Sequence, residues 1–442
     1  MAHTATERSR GYLLIDFHTT AILVGVTAGV IGGLLPGFGN LLTMVVLLPF
    51  ISAWTALDVI ICYAVMTQLS QFVGSITSLY TGVPGEASSM PTVIESKRLH
   101  STADFSYAAS STALGSAFAS LVAIVSCIAV LPYLQSVAWF YRTEFIIVLL
   151  IIATAFICTT GSHSVRATLV LLALGLLLGS VGWNTSLNAS ILTFGVVELY
   201  QGLPVETAVI CLFAVPQLLQ FASKPVTKIV HKLSLSFPKM HLGNLSLYSV
   251  LGMIGGLVPG LTTVLSSQFA YAVSCRRTTD PKERILASET ANNAGAITQL
   301  VPLLVLGLPL VASEAMALNL MESTGFVATP ESAAAMFMGI VPGLLFATMA
   351  GILFAWPLAT RILVFLKMNN QNFRISILSF LVLVTLWQSH VDMQLLFVLS
   401  CMLVLLPLGL ILRRFDTTAL IFGFLISDRV WELSYRMVDL YI

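Results

Sequence analysis

The sequence predicts an all-α polytopic membrane protein: two inverted-topology repeats with broken or re-entrant helices, in about 10–12 membrane elements. Three observations lead there. Apolar residues make up 57% of the 442 and charged residues 9%, against roughly 25% charged in an ordinary soluble domain; the mean hydropathy is +0.93. A nine-residue stretch, Gly29-Val30-Ile31-Gly32-Gly33-Leu34-Leu35-Pro36-Gly37, returns as Gly252-Met253-Ile254-Gly255-Gly256-Leu257-Val258-Pro259-Gly260, with seven of nine positions identical at an offset of 223 residues. Loops that correspond between the two halves carry opposite charge biases.

Taken in order, residues 1–18 read as a polar N-terminal tail, 19–221 as a first membrane repeat, 222–244 as a basic cytoplasmic linker and 245–442 as a second membrane repeat. The apolar run after Thr20 lacks a small-residue cleavage pattern and has its twin mid-chain, so it reads as mature structure rather than a signal peptide. Apolar segments of the first half fall near 20–50 (broken at Pro36-Gly37), 59–83, 105–131, 145–160, 167–182 and 206–221. The linker carries Lys224, Lys228, Lys232 and Lys239 with no acidic residue. The second half continues near 248–273 (broken at Pro259-Gly260), 286–311, 336–358, 376–388, 395–411 and 418–427. Several segments are shorter than the roughly 20 residues a perpendicular helix needs.

A second landmark strengthens the repeat. Val83-Pro84-Gly85 follows Pro36 by 48 residues, and Leu308-Pro309 follows Pro259 by 50. The loop Ile51–Asp58 has no Lys or Arg, whereas its counterpart Cys275–Ala287 has Arg276, Arg277, Lys282 and Arg284. Past the second break the bias reverses. Glu95–Asp104 carries Lys97 and Arg98, but Met321–Ala335 carries only Glu322 and Glu331. Basic loops collect on the cytoplasmic side, so matching loops prefer opposite faces, as inverted repeats require. The same path puts the Arg361–Arg374 loop and the Arg413-Arg414 turn in the cytoplasm and the N-terminus outside.

Other function classes lack their signatures. The seven histidines are scattered over tails and loops, without His-Glu-x-x-His or Gly-x-Ser-x-Gly, so no enzyme chemistry is indicated. Cys62, Cys127, Cys158, Cys211, Cys275 and Cys401 are far apart and read as small core residues. A net charge of +1 without a long basic stripe gives nucleic acid no footprint. A channel would show rings of charge or a repeated carbonyl filter, and neither is present.

Broken helices give a carrier its ligands: half-helix N–H groups face anions and unwound carbonyls face cations. Paired interruptions at matching places in two halves are the best sequence pointer to a transport site. The candidate substrate residues are Gly37, Phe38, Gly39, Asn40, Ser75, Thr77, Pro84, Gly85, Gly260, Thr262, Thr263, Asn292, Asn293, Pro309 and Ser313. A single Ser or Thr in an apolar helix more often bonds its own helix or a neighbour. Two adjacent amides beside a carboxylate, however, all need partners in a dry site. Glu289, Asn292, Asn293, Thr262 and Asn40 are therefore the candidate cation ligands. No Lys or Arg lies within the broken segments, so a carboxylate substrate would keep much of its charge unless Na⁺ or H⁺ entered with it. No other cofactor or metal is called for.

At these residues the chain resembles the large membrane subunit of the tripartite tricarboxylate transporter family. The family's Gly-rich stretch ending Pro-Gly-x-Gly is matched by Gly32 to Gly39, and its Gly-Ser-Ile segment leading to Pro-Gly and Thr by Val73-Gly74-Ser75-Ile76 through Pro84-Gly85 to Thr92. The second half matches through Pro259-Gly260, Glu289-Thr290-Ala291-Asn292-Asn293-Ala294 and the run from Pro302 to Pro309. Leu310 stands where the family has glycine, Val73 where it has the first glycine of Gly-Gly-Ser, and Glu95-Ser96 where it has Asp-Gly. The resemblance implies a cation-coupled importer of small carboxylates, of di- or tricarboxylate type, as a multi-pass protein of the bacterial inner membrane. It also implies a small membrane subunit and a periplasmic substrate-binding protein as partners; a homo-oligomer is compatible with it. The alternative reading is a stand-alone ion-coupled organic-anion carrier or exporter.

Overall fold

A computed structural model describes residues 2–35, 39–81, 87–136, 164–184, 187–216, 240–257, 263–358, 395–415 and 417–441, with a few isolated positions besides. The first half contains α1 (Ala2–Leu34), α2 (Gly39–Ile51), α3 (Ala56–Thr81), a 3₁₀ turn at Ala87–Ser89, α4 (Met90–Ser96), α5 (Thr102–Val130) and α6 (Val165–Gly179). A short hairpin, β1 (Gly182–Asn184) and β2 (Ala189–Ile191), precedes α7 (Val205–Val209), which runs on as a π turn at Ile210–Ala214. The second half contains α8 (Leu242–Leu257), α9 (Thr263–Arg277), α10 (Pro281–Thr298), α11 (Leu300–Leu306), α12 (Ala312–Ser323), α13 (Pro330–Ala355), α14 (Leu395–Leu412) and α15 (Thr418–Tyr441).

Among the described residues the all-α expectation meets one small exception. Gly182 (φ 134°) and Asn188 (φ 49°) supply backbone angles that ordinary residues avoid, and Asn184 Oδ1 accepts the Leu187 N–H at 2.8 Å to close the turn. Among the described residues four helices, at 56–80, 102–133, 330–355 and 395–412, are long and apolar enough to cross a membrane alone. The segments expected at 145–160 and 376–388, and most of the linker, lie outside the described residues. Among the described cysteines, Cys62, Cys127, Cys211 and Cys401 are buried, as core residues would be, whereas Cys275 is half-buried.

The glycines of the repeated stretch are explained by packing. On α1, a methyl group added to Gly29 would lie 2.6 Å from the carbonyl oxygen of Met66, and one on Gly33 would lie 2.6 Å from that of Ser70. On α8, methyls on Gly252 and Gly256 would overlap the carbonyl oxygens of Ala291 and Gly295. Gly32 faces Thr43 of α2, and Gly255 faces Ser266 of α9, eleven residues on in each copy. Each copy therefore lays one helix directly on the backbone of a second, the contact that small residues permit between apolar helices.

Contacts also fix helix directions. Tyr80 of α3 donates to the Phe105 carbonyl near the start of α5, while Gln68 reaches Ser120 near its end, so α3 and α5 are antiparallel. Along α5 and α10 the pairs run in one sense, from Asp104–Lys282 to Ser116–Asn293. Consequently α3 and α10 run in opposite directions. The two basic loops meet on one face, where Lys282 pairs with Asp104 at 3.1 Å and Arg284 with Glu95 at 3.1 Å. These hydrogen bonds raise the pKa of both cations above its ordinary value. At the other end Leu57 packs at Gly339, near the start of α13 and the acid-only loop.

Candidate functional site

Helix α10 begins with Asp280 as N-cap, its carboxylate accepting the Lys282 N–H at 3.0 Å, and with Pro281 in the first turn. From Ile285 to Thr298 every residue is buried. A helix surrounded on all sides would normally be apolar. This one carries Ser288, Glu289, Thr290, Asn292, Asn293 and Thr298, and each polar group placed there costs free energy unless it finds a partner.

Partners come from both halves. Glu289, wholly buried, accepts a hydrogen bond at Oε1 from the Thr92 hydroxyl of α4. Helix α4 and the 3₁₀ turn before it pack on the second half, where the Ser267 hydroxyl donates to the Ser88 carbonyl of that turn at 2.6 Å. Asn293 Nδ2 donates to Ser116 Oγ of α5 at 2.9 Å and to the Glu289 carbonyl at 3.0 Å. One turn along α5, Ser120 Oγ donates to the Ser116 carbonyl at 2.7 Å and accepts from Gln68 Nε2 of α3. A chain of polar contacts therefore runs from α10 through α5 to α3.

This chain decides which way two amides point. A carbonyl oxygen can only accept, so the Asn293 group facing the Glu289 carbonyl must be its nitrogen. The Ser120 hydroxyl has given its proton to Ser116, so the group facing it from Gln68 is also nitrogen. Both side-chain oxygens are turned the other way. Among the described residues Asn292 Oδ1, Asn293 Oδ1 and Gln68 Oε1 are buried without a hydrogen-bond partner, as is Asn40 Oδ1 on α2. Buried acceptors in native proteins are nearly always satisfied. An orphan oxygen of this kind is a place for a cation or a donor.

The other candidates separate into three sets. Gly37, Phe38, Pro84, Gly85, Gly260 and Thr262 lie outside the described residues. Ser75 and Thr77 act structurally: Ser75 bonds the Phe72 carbonyl at 2.9 Å, and Thr77 clamps α3 to α1 through the Gly33 carbonyl at 2.9 Å. Gly39 opens α2 with φ 62°, and no described residue lies within 4 Å of where its side chain would be; Thr263 opens α9 and is 8% exposed.

Pro309 and Ser313 belong to a second place. Pro309 follows Gly307, whose φ of 58° ends α11, and lines a cavity of about 270 Å³ with Trp183, Glu322 and Asp428. Ser313 lies 3.2 Å from the Tyr63 hydroxyl of α3. At this break Glu314 Oε2 accepts the Leu310 N–H at 2.7 Å. That half-helix end is thus filled by its own carboxylate, and the Leu310 side chain is buried rather than turned to a ligand.

Sequence reading did not single out Thr92, Ser116, Ser120 or Gln68 as site residues. Thr92 stood in the matched segment after Pro84-Gly85, and Thr112, Ser116 and Ser120 recur every fourth residue on α5. That spacing puts them on one face, but it does not say which helix the face meets.

Residues 20–422 match the family described as "Tripartite tricarboxylate transporter TctA family". Among curated proteins, the chain is 29% identical over 335 residues to one described as "Uncharacterized 52.8 kDa protein in TAR-I ttuC' 3'region", from Agrobacterium vitis; the match covers 72% of this chain and 67% of that one. No solved structure matches. With a family match over almost its whole length, a multi-pass helical architecture and a polar network buried between its two halves, the chain belongs to the TctA family, a membrane component of tripartite tricarboxylate transporters.

Proposed function

We propose that the chain is the permease subunit that imports a small di- or tricarboxylate across the bacterial inner membrane, coupled to Na⁺. In this reading a periplasmic binding protein delivers the substrate and a small membrane subunit completes the complex. The two halves are inverted-topology repeats, a reading supported by the opposite directions of α3 and α10. The observation that carries the proposal is the buried run from Glu289 to Asn293, whose amide oxygens face no hydrogen-bond partner among the described residues.

Those oxygens are hard, neutral ligands suited to an alkali cation. Amide oxygens take up no proton at physiological pH, which favours Na⁺ over H⁺. Among the described residues no cluster of three His, Cys, Asp or Glu side chains marks a site for a multivalent metal. A cation held beside Glu289 would offset both that carboxylate and the charge of the substrate, so the two ligands would bind better together than apart.

The test is uptake of labelled citrate, or of whichever carboxylate the binding protein retains, into vesicles carrying the three subunits. An inward Na⁺ gradient should drive accumulation against the substrate gradient. Transport indifferent to both Na⁺ and H⁺ gradients would overturn the coupling. Absence of a binding-protein frame and a small membrane-protein frame beside this one would count against the tripartite assembly.

A further inference from the structure

The packing of the repeated glycines sets α3 and α10 in register. Gly29 faces the Met66 carbonyl as Gly252 faces that of Ala291, and Gly33 faces Ser70 as Gly256 faces Gly295. Both pairs place α10 at an offset of 225 residues from α3. At that offset Thr67 corresponds to Asn292 and Gln68 to Asn293, an equivalence of place that the residue types hide.

The equivalence extends to the chemistry. Gln68 and Asn293 each spend their amide nitrogen on a serine of α5, Ser120 and Ser116, which stand one turn or ~6 Å apart. Each thereby frees its oxygen. All four residues of the two pairs are at most 3% exposed, and all four oxygens, Thr67 Oγ1, Gln68 Oε1, Asn292 Oδ1 and Asn293 Oδ1, lack a partner among the described residues. So does Gln71 Oε1, one turn beyond Thr67. Thr67 is telling. A buried helical hydroxyl usually bonds the carbonyl four residues back, as Thr43, Ser78 and Ser120 do here, but Thr67 makes no such bond.

We propose that Thr67, Gln68 and Gln71 form a second Na⁺ position, related to that at Asn292 and Asn293 by the internal repeat, so that two Na⁺ ions accompany each carboxylate. The proposal rests on the Na⁺-coupled reading above and extends it. None of these three ligands can ionise to carry a proton, so the position is one for an alkali cation. Two ions would offset the charge of a dicarboxylate that has no Lys or Arg in the broken segments to receive it.

Equilibrium binding of radioactive sodium to the detergent-purified full chain tests the proposal. Wild type should bind two Na⁺ per chain. Thr67→Val, which removes only a hydroxyl without a partner, should weaken one of them about tenfold or more. It should leave the melting temperature in Na⁺-free buffer unchanged or higher. Gln68→Leu should do the same to binding, Asn292→Ala should remove the other ion, and the double variant should remove both. A wild type that binds one Na⁺, untouched by Thr67→Val but lost in Asn292→Ala, would overturn the second position and leave the first standing. Two ions that both survive Thr67→Val and Gln68→Leu would refute the location. A wild type that binds no Na⁺ would bring down the Na⁺-coupled reading itself.

Discussion

Alanine substitutions at two glycines that touch each other, Gly33 on α1 and Gly74 on α3, should have opposite effects. In a helix interior, as at Gly74, the substitution gains about 1 kcal/mol of helix propensity, and in the last turn of α1, at Gly33, it gains less. Among the described residues a methyl on Gly74 would find only Gly33 atoms, at 3.9 Å, which is ordinary contact. A methyl on Gly33 would lie 2.6 Å from the Ser70 carbonyl oxygen, 2.8 Å from Val73 Cβ and 2.9 Å from the Gly74 nitrogen. Two of those three atoms are backbone and cannot swing aside, so α1 and α3 must part. Overpacking of that kind costs about 1–3 kcal/mol. Parting the helices also lengthens the Thr77 to Gly33 hydrogen bond of 2.9 Å, worth about 1 kcal/mol. Gly33→Ala should therefore lose about 1–3 kcal/mol, while Gly74→Ala should be neutral or gain up to about 1 kcal/mol. Thermal melting of the two purified variants against wild type makes the comparison, and Gly256→Ala, whose methyl would overlap the Gly295 carbonyl, should repeat the Gly33 loss. Equal melting temperatures for Gly33→Ala and Gly74→Ala would refute the packing argument.

Three further outcomes follow from the site and its rim. Thr92→Val removes a donor to the buried Glu289 carboxyl; hydrogen bonds to charged groups are worth about 1.5–3 kcal/mol, so half-saturating Na⁺ for uptake should shift roughly 10-fold or more, and an unchanged value would remove Thr92 from the site. Asn292→Ala and Asn293→Ala should both cripple uptake, yet only Asn293→Ala should lower the melting temperature, because only Asn293 donates to Ser116 and the Glu289 carbonyl; equal melting shifts would count against the division of roles. Glu95 is 1% exposed and holds Arg284, Arg98 and the Tyr271 hydroxyl. Glu95→Gln leaves Arg284 half-buried with its carboxylate gone, and should cost about 2 kcal/mol in a melting assay; a shift no larger than that of an exposed control such as Glu331→Gln would show the cluster to be ornamental.

Much of the architecture was legible because the bilayer writes it into composition. A segment must be apolar to sit in lipid, and Lys- and Arg-bearing loops tend to share one side of a membrane, so the meeting of the 95–104 and 275–287 loops could be read from residue types. The glycine repeat was legible for a related reason. Close backbone contact tolerates only glycine, so Gly29, Gly33, Gly252 and Gly256 stayed recognisable while their partners Met66, Ser70, Ala291 and Gly295 did not. The hairpin at Gly182–Ile191 escaped because two strands of three residues are too short for a period-two pattern to stand out.

The sequence by itself determined that the chain is a helical membrane protein, that a Gly-rich stretch ending in Pro-Gly occurs twice, and that Glu289, Asn292 and Asn293 need partners in a dry setting. Only the tertiary structure decided who those partners are. Thr92, Ser116 and Gln68 are far from α10 in sequence, and nothing in an individual serine says whether it bonds its own helix, as Ser75 does, or a neighbour's amide, as Ser116 does. Hydrogen-bond orientation is likewise a property of the assembled site. It is the serines of α5 that take the Gln68 and Asn293 nitrogens, and so leave both side-chain oxygens without a partner among the described residues.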